Sequence, residues 1–307
     1  MRYFWILILA GVFALGAKIY LGPEVYFSER KHATPANSEI IKLAFVGDIM
    51  MDREVEKKIL KEGAGDFRFP FLNIASELSE YDFLFGNLEG PISSRGKNAG
   101  SAYSFRMDAR VIGGLKFAGF DAMSVANNHS GDWGMEAFVD TLSILREANI
   151  IPAGATTSPE IFEVKGLKLG LLAFSDFPGL GIRADDEVVK KGVSWAKSAA
   201  DLIVVSFHFG EEYKKEPSLR QIKLAKIAID AGADLVIGHH PHVTQPVEKY
   251  VDSYIAYSLG NFVFDQNFSE ETMTGLLLEV EIRDKKILSV KTREIKLNLN
   301  YQPLFID

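Results

Sequence analysis

Five apolar runs in this chain each stop at a polar cluster, and that regularity limits the possible folds more than any other feature. Residues 41–46 end in Gly47-Asp48, 81–85 in Gly86-Asn87-Leu88-Glu89, and 121–125 in Ala126-Asn127-Asn128-His129. Residues 201–207 end in His208, and 234–237 end in Gly238-His239-His240-Pro241-His242. Runs this short and this apolar read as buried strands. Pro241 prevents a helix from following the last one directly. Segments with helical periodicity lie between the runs, so the pattern predicts an α/β fold whose sheet is covered on both faces. Open α/β sheets bind ligands beyond the carboxyl ends of their strands, so the five polar clusters should converge.

Helices are expected over 53–61, 71–79, 109–118, 135–148, 187–200 and 219–231, and a hairpin over 161–174 around Lys165-Gly166. The C-terminal part turns β-rich, with strands over 253–259, 274–282 and 287–297, the last two joined by Arg283-Asp284-Lys285-Lys286. That tail predicts a second sheet packed on the first. The chain has 307 residues, no cysteine and a net charge of −7. Disulfides, Cys-zinc sites and thiol nucleophiles are thereby excluded, and without a basic run no nucleic acid is expected as a partner.

Residues 3–22 are apolar except for Lys18. About 20 such residues suffice to cross a bilayer as a helix. Residues 1–22 are expected to form a signal-anchor, with Arg2 favouring a short inside terminus. A cleaved signal peptide, leaving a secreted protein, is the competing reading. Residues 23–39 read as a polar linker and 40–307 as the folded domain.

Carboxylate, carboxamide and imidazole at the strand ends make a mixed oxygen and nitrogen donor set suited to one or two divalent ions such as Mn, Fe or Zn. Three histidines within four positions would repel one another if charged, and gain by staying neutral around a cation. Taken singly each element is weak: Asp48 is as well read as a helix cap, Asn127-Asn128 as a turn, and His208 as a core histidine. Their combination is what points to a metal.

The motifs Gly47-Asp48-Ile49-Met50, Asn87-Leu88-Glu89-Gly90-Pro91, Asn127-Asn128-His129 with Asp132, His208-Phe209-Gly210-Glu211-Glu212-Tyr213, Gly238-His239-His240-Pro241-His242 and Ser258-Leu259-Gly260-Asn261-Phe262 span residues 41 to about 266. As a set they resemble the CapA/PgsA family of bacterial capsule and poly-γ-glutamate synthesis proteins, a branch of the calcineurin-like metallophosphoesterases. The resemblance implies a four-layer α/β/β/α sandwich of two mixed sheets. It implies Asp48, Glu89, Asn128, His208, His239 and His242 as metal ligands, with His129 and Asp48 catalytic and His129 the acid near the leaving group. Asn87, Asp132, Glu212, Tyr213, His240 and Asn261 are then expected to support those ligands or meet substrate. Two departures stand out: Met50 replaces the histidine of the usual Asp-x-His, and Asn87 with Glu89 replaces the usual Gly-Asp-x-x-Asp. The implied function is surface-polymer synthesis or export on the extracytoplasmic side of a bacterial cytoplasmic membrane. The implied partners are the membrane, poly-γ-glutamate or a capsular polysaccharide, and other synthase subunits. A non-catalytic polymer-binding scaffold and a general extracytoplasmic metallophosphodiesterase are the alternatives.

Overall fold

Strand β1 (Ile41–Ile49) is buried along almost its whole length, and the first sheet is assembled on both sides of it. The computed structural model describes residues 39–306. Parallel partners β2 (Phe83–Leu88), β3 (Ala122–Ser124) and β4 (Ile151–Ala153) extend the sheet on one side. Antiparallel β12 (Thr274–Arg283), β13 (Lys286–Leu297) and β14 (Pro303–Phe305) extend it on the other, with Ile41 paired to Ile282. The short β11 (Asn261–Val263) runs parallel to the end of β1. The second sheet has the order β5 (Glu160–Val164), β6 (Leu167–Ser175), β7 (Leu202–His208), β8 (Leu235–His239), β10 (Ser253–Ala256) and β9 (Val247–Tyr250). Both sheets are mixed.

The period-two alternation of side chains sorts the core into three zones. Leu43, Phe45, Phe83 and Phe85 point from the first sheet into the space shared with Leu169, Leu171, Val204, Leu235 and Ile237 of the second. Their neighbours Ala44, Val46 and Leu84 face outward, against residues of helices α1 (Arg53–Lys61), α3 (Val111–Ala118) and α4 (Gly134–Glu147). Leu172, Val205 and Val236 face the other way, onto α5 (Asp186–Lys197) and α6 (Leu219–Ala231). The result is helix, sheet, sheet, helix.

One device recurs at the starts of the parallel strands. Asp82, Asp121, Asp201 and Asp234 each precede a strand, and each carboxylate accepts the backbone N–H of the adjacent strand's Lys42, Leu84, Lys168 or Ile203 at 2.8–3.0 Å. The backbone N–H of each aspartate donates to the carbonyl of that same residue. This two-point clamp sets the register of neighbouring parallel strands.

Three expectations need adjusting. The helix expected over 71–79 is a 3₁₀ turn (Phe69–Phe71) and a single helical turn, α2 (Ala75–Leu78). Neither Arg68 nor Ile74 supplies a side-chain cap, so nothing carries a longer helix across the gap. The strand expected over 253–259 ends at Ala256, because the chain there leaves the second sheet and joins the first as β11. The tail strands β12 and β13, expected to form a second sheet, instead extend the first beside β1, and the second sheet is built from β5 to β10. β9 and β14 are too short to be read from periodicity. The expected anchor at 1–22 and nearly all of the linker lie outside the described residues. Among the described residues no helix is long and apolar enough to cross a membrane.

Candidate metal centre

The strand ends do converge. Asp48 is paired in register with Asn87 on one side and Asn261 on the other, and His208 with His239 across the second sheet. Two glycines make room for this. A Cβ on Gly47 would stand 2.0 Å from the Gly260 carbonyl oxygen, and one on Gly238 would stand 2.0 Å from that of Tyr257. Both positions exclude any side chain while the strands stay where they are.

Asp48, Asn87, Glu89, His208, His239 and Asn261 are fully buried, and His242 is 2% exposed. Asn87 ties two of them together, its Nδ2 donating to Asp48 Oδ1 at 2.8 Å and lying 3.3 Å from His208 Nδ1. Asn127 fixes that amide's orientation by donating to Asn87 Oδ1 at 3.2 Å, and also to Leu88 O. His208 Nε2 lies 2.7 Å from Asn128 Oδ1 and 3.1 Å from His240 Nδ1. At the other end His242 Nδ1 lies 3.3 Å from Asp48 Oδ2, and its Nε2 lies 3.7 Å from Glu89 Oε1. His239 stands behind Asp48, with Nδ1 3.4 Å from Asp48 Oδ1 and its ring against Phe85. Two groups bring three donor atoms each within 4.8 Å of one another: Asp48, Glu89 and His208, and Glu212, His240 and His242.

His129 faces the same space. Asp132 Oδ2 lies 2.7 Å from its Nδ1, and its Nε2 lies 3.6 Å from Glu89 Oε1. Asp132 is itself held by the Phe105 N–H and the Ser101 hydroxyl. Asn261 Oδ1 accepts from His242 Nδ1 at 3.0 Å. Tyr213 hydrogen-bonds Gln266, and Glu212 is exposed at the mouth. Met50 turns away and packs with Phe105 and Phe264 in a small apolar cluster.

The electrostatics show a donor set short of positive charge. Burial pushes the Asp48 carboxyl up, but His239 and His242 together hold it well below the usual carboxylate range. Burial raises Glu89 to about 7. Burial and the neighbouring His240 hold His208 far below its ordinary value, and burial with His242 lowers His240 to about 3. His242 is driven the other way: burial opposes its charge, yet Glu89 and Asp48 raise it to about 9. Both oxygens of Glu89 and both ring nitrogens of His239 are buried without a hydrogen-bond partner. A bare carboxylate costs several kcal/mol to bury, roughly, unless a cation or donors meet it. The residues present fit a divalent ion.

The cleft above these donors is a cavity of about 230 Å³, lined by Arg53, Tyr103, Phe105, His129, Tyr213 and Phe268 among others. Of these, Arg53, Tyr103, Phe105 and Phe268 carry no signal in the sequence, since they sit at a helix start and in loops.

Residues 42–266 match the model of the bacterial capsule synthesis protein PGA_cap. The chain belongs to the PGA_cap family. It is 35% identical over 260 residues to the PGA biosynthesis protein CapA of Bacillus subtilis (strain 168), covering 78% of this chain and 68% of that one. It is 34% identical over 272 residues to the capsule biosynthesis protein CapA of Bacillus anthracis, covering 80% and 65%. The PGA_cap chain thus spans about two thirds of the length of these relatives. Among solved structures it is similar to a phosphatase from Mycoplasma pneumoniae, with a TM-score of 0.56, 15% identity and 86% and 96% of the two chains covered. It is also similar to a putative 5′-nucleotidase from Staphylococcus aureus, with a TM-score of 0.52, 16% identity and 88% and 55% covered. At that identity the likeness concerns the fold alone.

Proposed function

We propose that this PGA_cap chain is a metal-dependent extracytoplasmic protein of poly-γ-glutamate or capsular polymer synthesis, tethered by residues 1–22. The observation that carries the reading is the buried set of nitrogen and oxygen donors, in which both oxygens of Glu89 lack a hydrogen bond. The names of the Bacillus relatives supply the polymer.

The contacts favour Asn128, His208 and His240 at one end of the site and Asp48, Glu89 and His242 at the other. His240 thereby joins the candidate ligands, and His239, expected as one, stands beside Asp48 with both ring nitrogens free of hydrogen bonds. The mixed donor set suits Mn, Fe or Zn. A divalent ion bound there supplies Lewis-acid polarisation of a phosphoryl or carbonyl oxygen and activates water. Asn87 keeps Asp48 and His208 aligned. His129, oriented by Asp132 through Nδ1, presents Nε2 to the cleft, where it holds a proton for the leaving group.

A non-catalytic, polymer-holding role is the second reading. Met50 favours it, because its packing with Phe105 and Phe264 removes one imidazole from the usual phosphoesterase set. Metal analysis of the purified wild type and of the His240→Ala, His242→Ala and His129→Ala variants tests the proposal, together with polymer output in cells. We expect one or two divalent ions per chain, lost in the first two variants and retained in the third, which stops polymer output. Metal content unchanged in both His240→Ala and His242→Ala would falsify the site. Full polymer output from His129→Ala would leave the holding role.

A further inference from the structure

Eleven non-glycine residues among those described have positive φ, and they fall into two groups. Seven of them, such as Lys165, Asp284 and Val251, lie away from the metal cleft. The other four are Arg53 (56°), Tyr213 (63°), His240 (98°) and His242 (57°), and all four belong to the metal cleft or its wall. Left-handed backbone at a bulky residue persists only where the surroundings over-determine it, and such strain gathers at functional sites. The two histidines are accounted for by the donor set. Arg53 is not.

Among the described residues Arg53 is the only lysine or arginine lining the cleft. Its backbone N–H donates to Asp52 Oδ1 at 2.7 Å, and the other oxygen of Asp52 accepts from Arg106 at the end of the loop that carries Tyr103 and Phe105. Its guanidinium is gripped along one edge, with Nε 3.0 Å from Asp265 Oδ2 and Nη2 3.0 Å from Asp265 Oδ1. The Asp265 side chain is fully buried and also accepts the Glu54 N–H, so it cannot swing away with the arginine. The guanidinium carbon lies 5.4 Å from the centre of the Phe105 ring, whose centre is in turn 4.1 Å from that of the His129 ring, tilted by 33°. Nη1 has no partner among the described residues, and the arginine side chain is 39% exposed towards the cleft it lines. A guanidinium presents donors in a fixed fork that matches paired anionic oxygens. Here one edge is anchored and the Nη1 side is left for a ligand.

We propose that Arg53, oriented by Asp265, is a specificity-determining residue that reads an anionic oxygen pair, carboxylate or phosphate, on the substrate chain lying in the metal cleft. The inference rests on the reading of this cleft as the substrate site. It adds that the substrate carries a negative charge where the cleft passes Arg53. Exposed Tyr103 and Phe268 on the same wall then meet the apolar stretches between charges.

The test uses the full chain, metal-loaded, with three probes: short poly-γ-glutamate, a glycerol-phosphate oligomer, and the side-chain-amidated, uncharged analogue of the first. Binding is measured by calorimetry, and metal content and melting temperature are measured in parallel. The wild type should bind one anionic probe more tightly than the uncharged analogue, and which one it prefers assigns the carboxylate or the phosphate source. In Arg53→Met that preference should fall about 10- to 100-fold, the size of a hydrogen bond to a charged group, with binding of the uncharged probe and metal content unmoved. Arg53→Lys, which keeps the charge without the fork, should lose at least half of the preference on a logarithmic scale, and it decides the matter if Arg53→Met does not fold. Equal binding of anionic and uncharged probes by the wild type overturns the proposal, as does an undiminished preference in a folded variant. Failure of the metal reading looks different: His242→Ala then retains its metal while Arg53→Met still loses the anionic preference.

Discussion

A methyl group on Gly47 would press into the Gly260 carbonyl, one residue from the carboxylate that meets both His239 and His242. The Asp48 N–H donates to that same Gly260 oxygen at 3.0 Å, so relieving the clash must move Asp48 or β11. Gly47→Ala is therefore expected to destabilise the fold by about 1–3 kcal/mol, the usual cost of forcing atoms into a packed site. It should also weaken metal retention although no donor has changed; thermal melting followed by metal analysis checks both. A variant that melts with the wild type would show that the two strands part at little cost. The identities of the donors were legible in the sequence because each apolar run stops abruptly at its polar cluster. The placement of the His240 ring was not: the left-handed turn there brings its Nδ1 to 3.1 Å from His208 Nε2. The fate of Met50 was equally hidden, because its partners Phe105 and Phe264 lie more than fifty residues away.

Among the elements, the aspartate clamps explain why the parallel strands start where they do. Asp234 is the clearest case, accepting the Ile203 N–H at 2.8 Å while its own N–H returns to the Ile203 carbonyl. Burial raises its carboxyl above the ordinary range despite that hydrogen bond. A carboxyl raised in the fold carries an ionisation penalty that is present above its folded value and is relieved as pH falls through that value. Asp234→Asn keeps an acceptor without the charge, so at neutral pH it should stay close to wild type. Asp234→Ala should lose about 1–3 kcal/mol by leaving the amide unsatisfied. On acidification towards the ordinary carboxylate range the wild type should gain on Asp234→Asn. Denaturant melts of the three proteins across pH read this directly, and a wild type that loses ground to Asp234→Asn in acid would contradict it. Long buried strands and amphipathic helices were legible because burial imposes the period. β9, β11 and β14 were not, since strands of three or four residues at an edge or crossover impose none.

At the scale of the molecule, the cleft draws on segments from residue 48 to residue 268, so it exists only when both sheets are closed. If residues 3–22 anchor the chain, protease added to intact spheroplasts should digest the domain, and carbonate washing should leave it in the membrane fraction. A protected domain would place it inside, and a washed-out one would mean the leader is cut. The order of strands carries one more consequence. β1 is made more than two hundred residues before β12, yet one flank stays open until β12 arrives, with Ile41 waiting for Ile282. A chain made N-terminus first therefore cannot close this flank of its first sheet until residues 274–283 have been made, and β13 can add only after that.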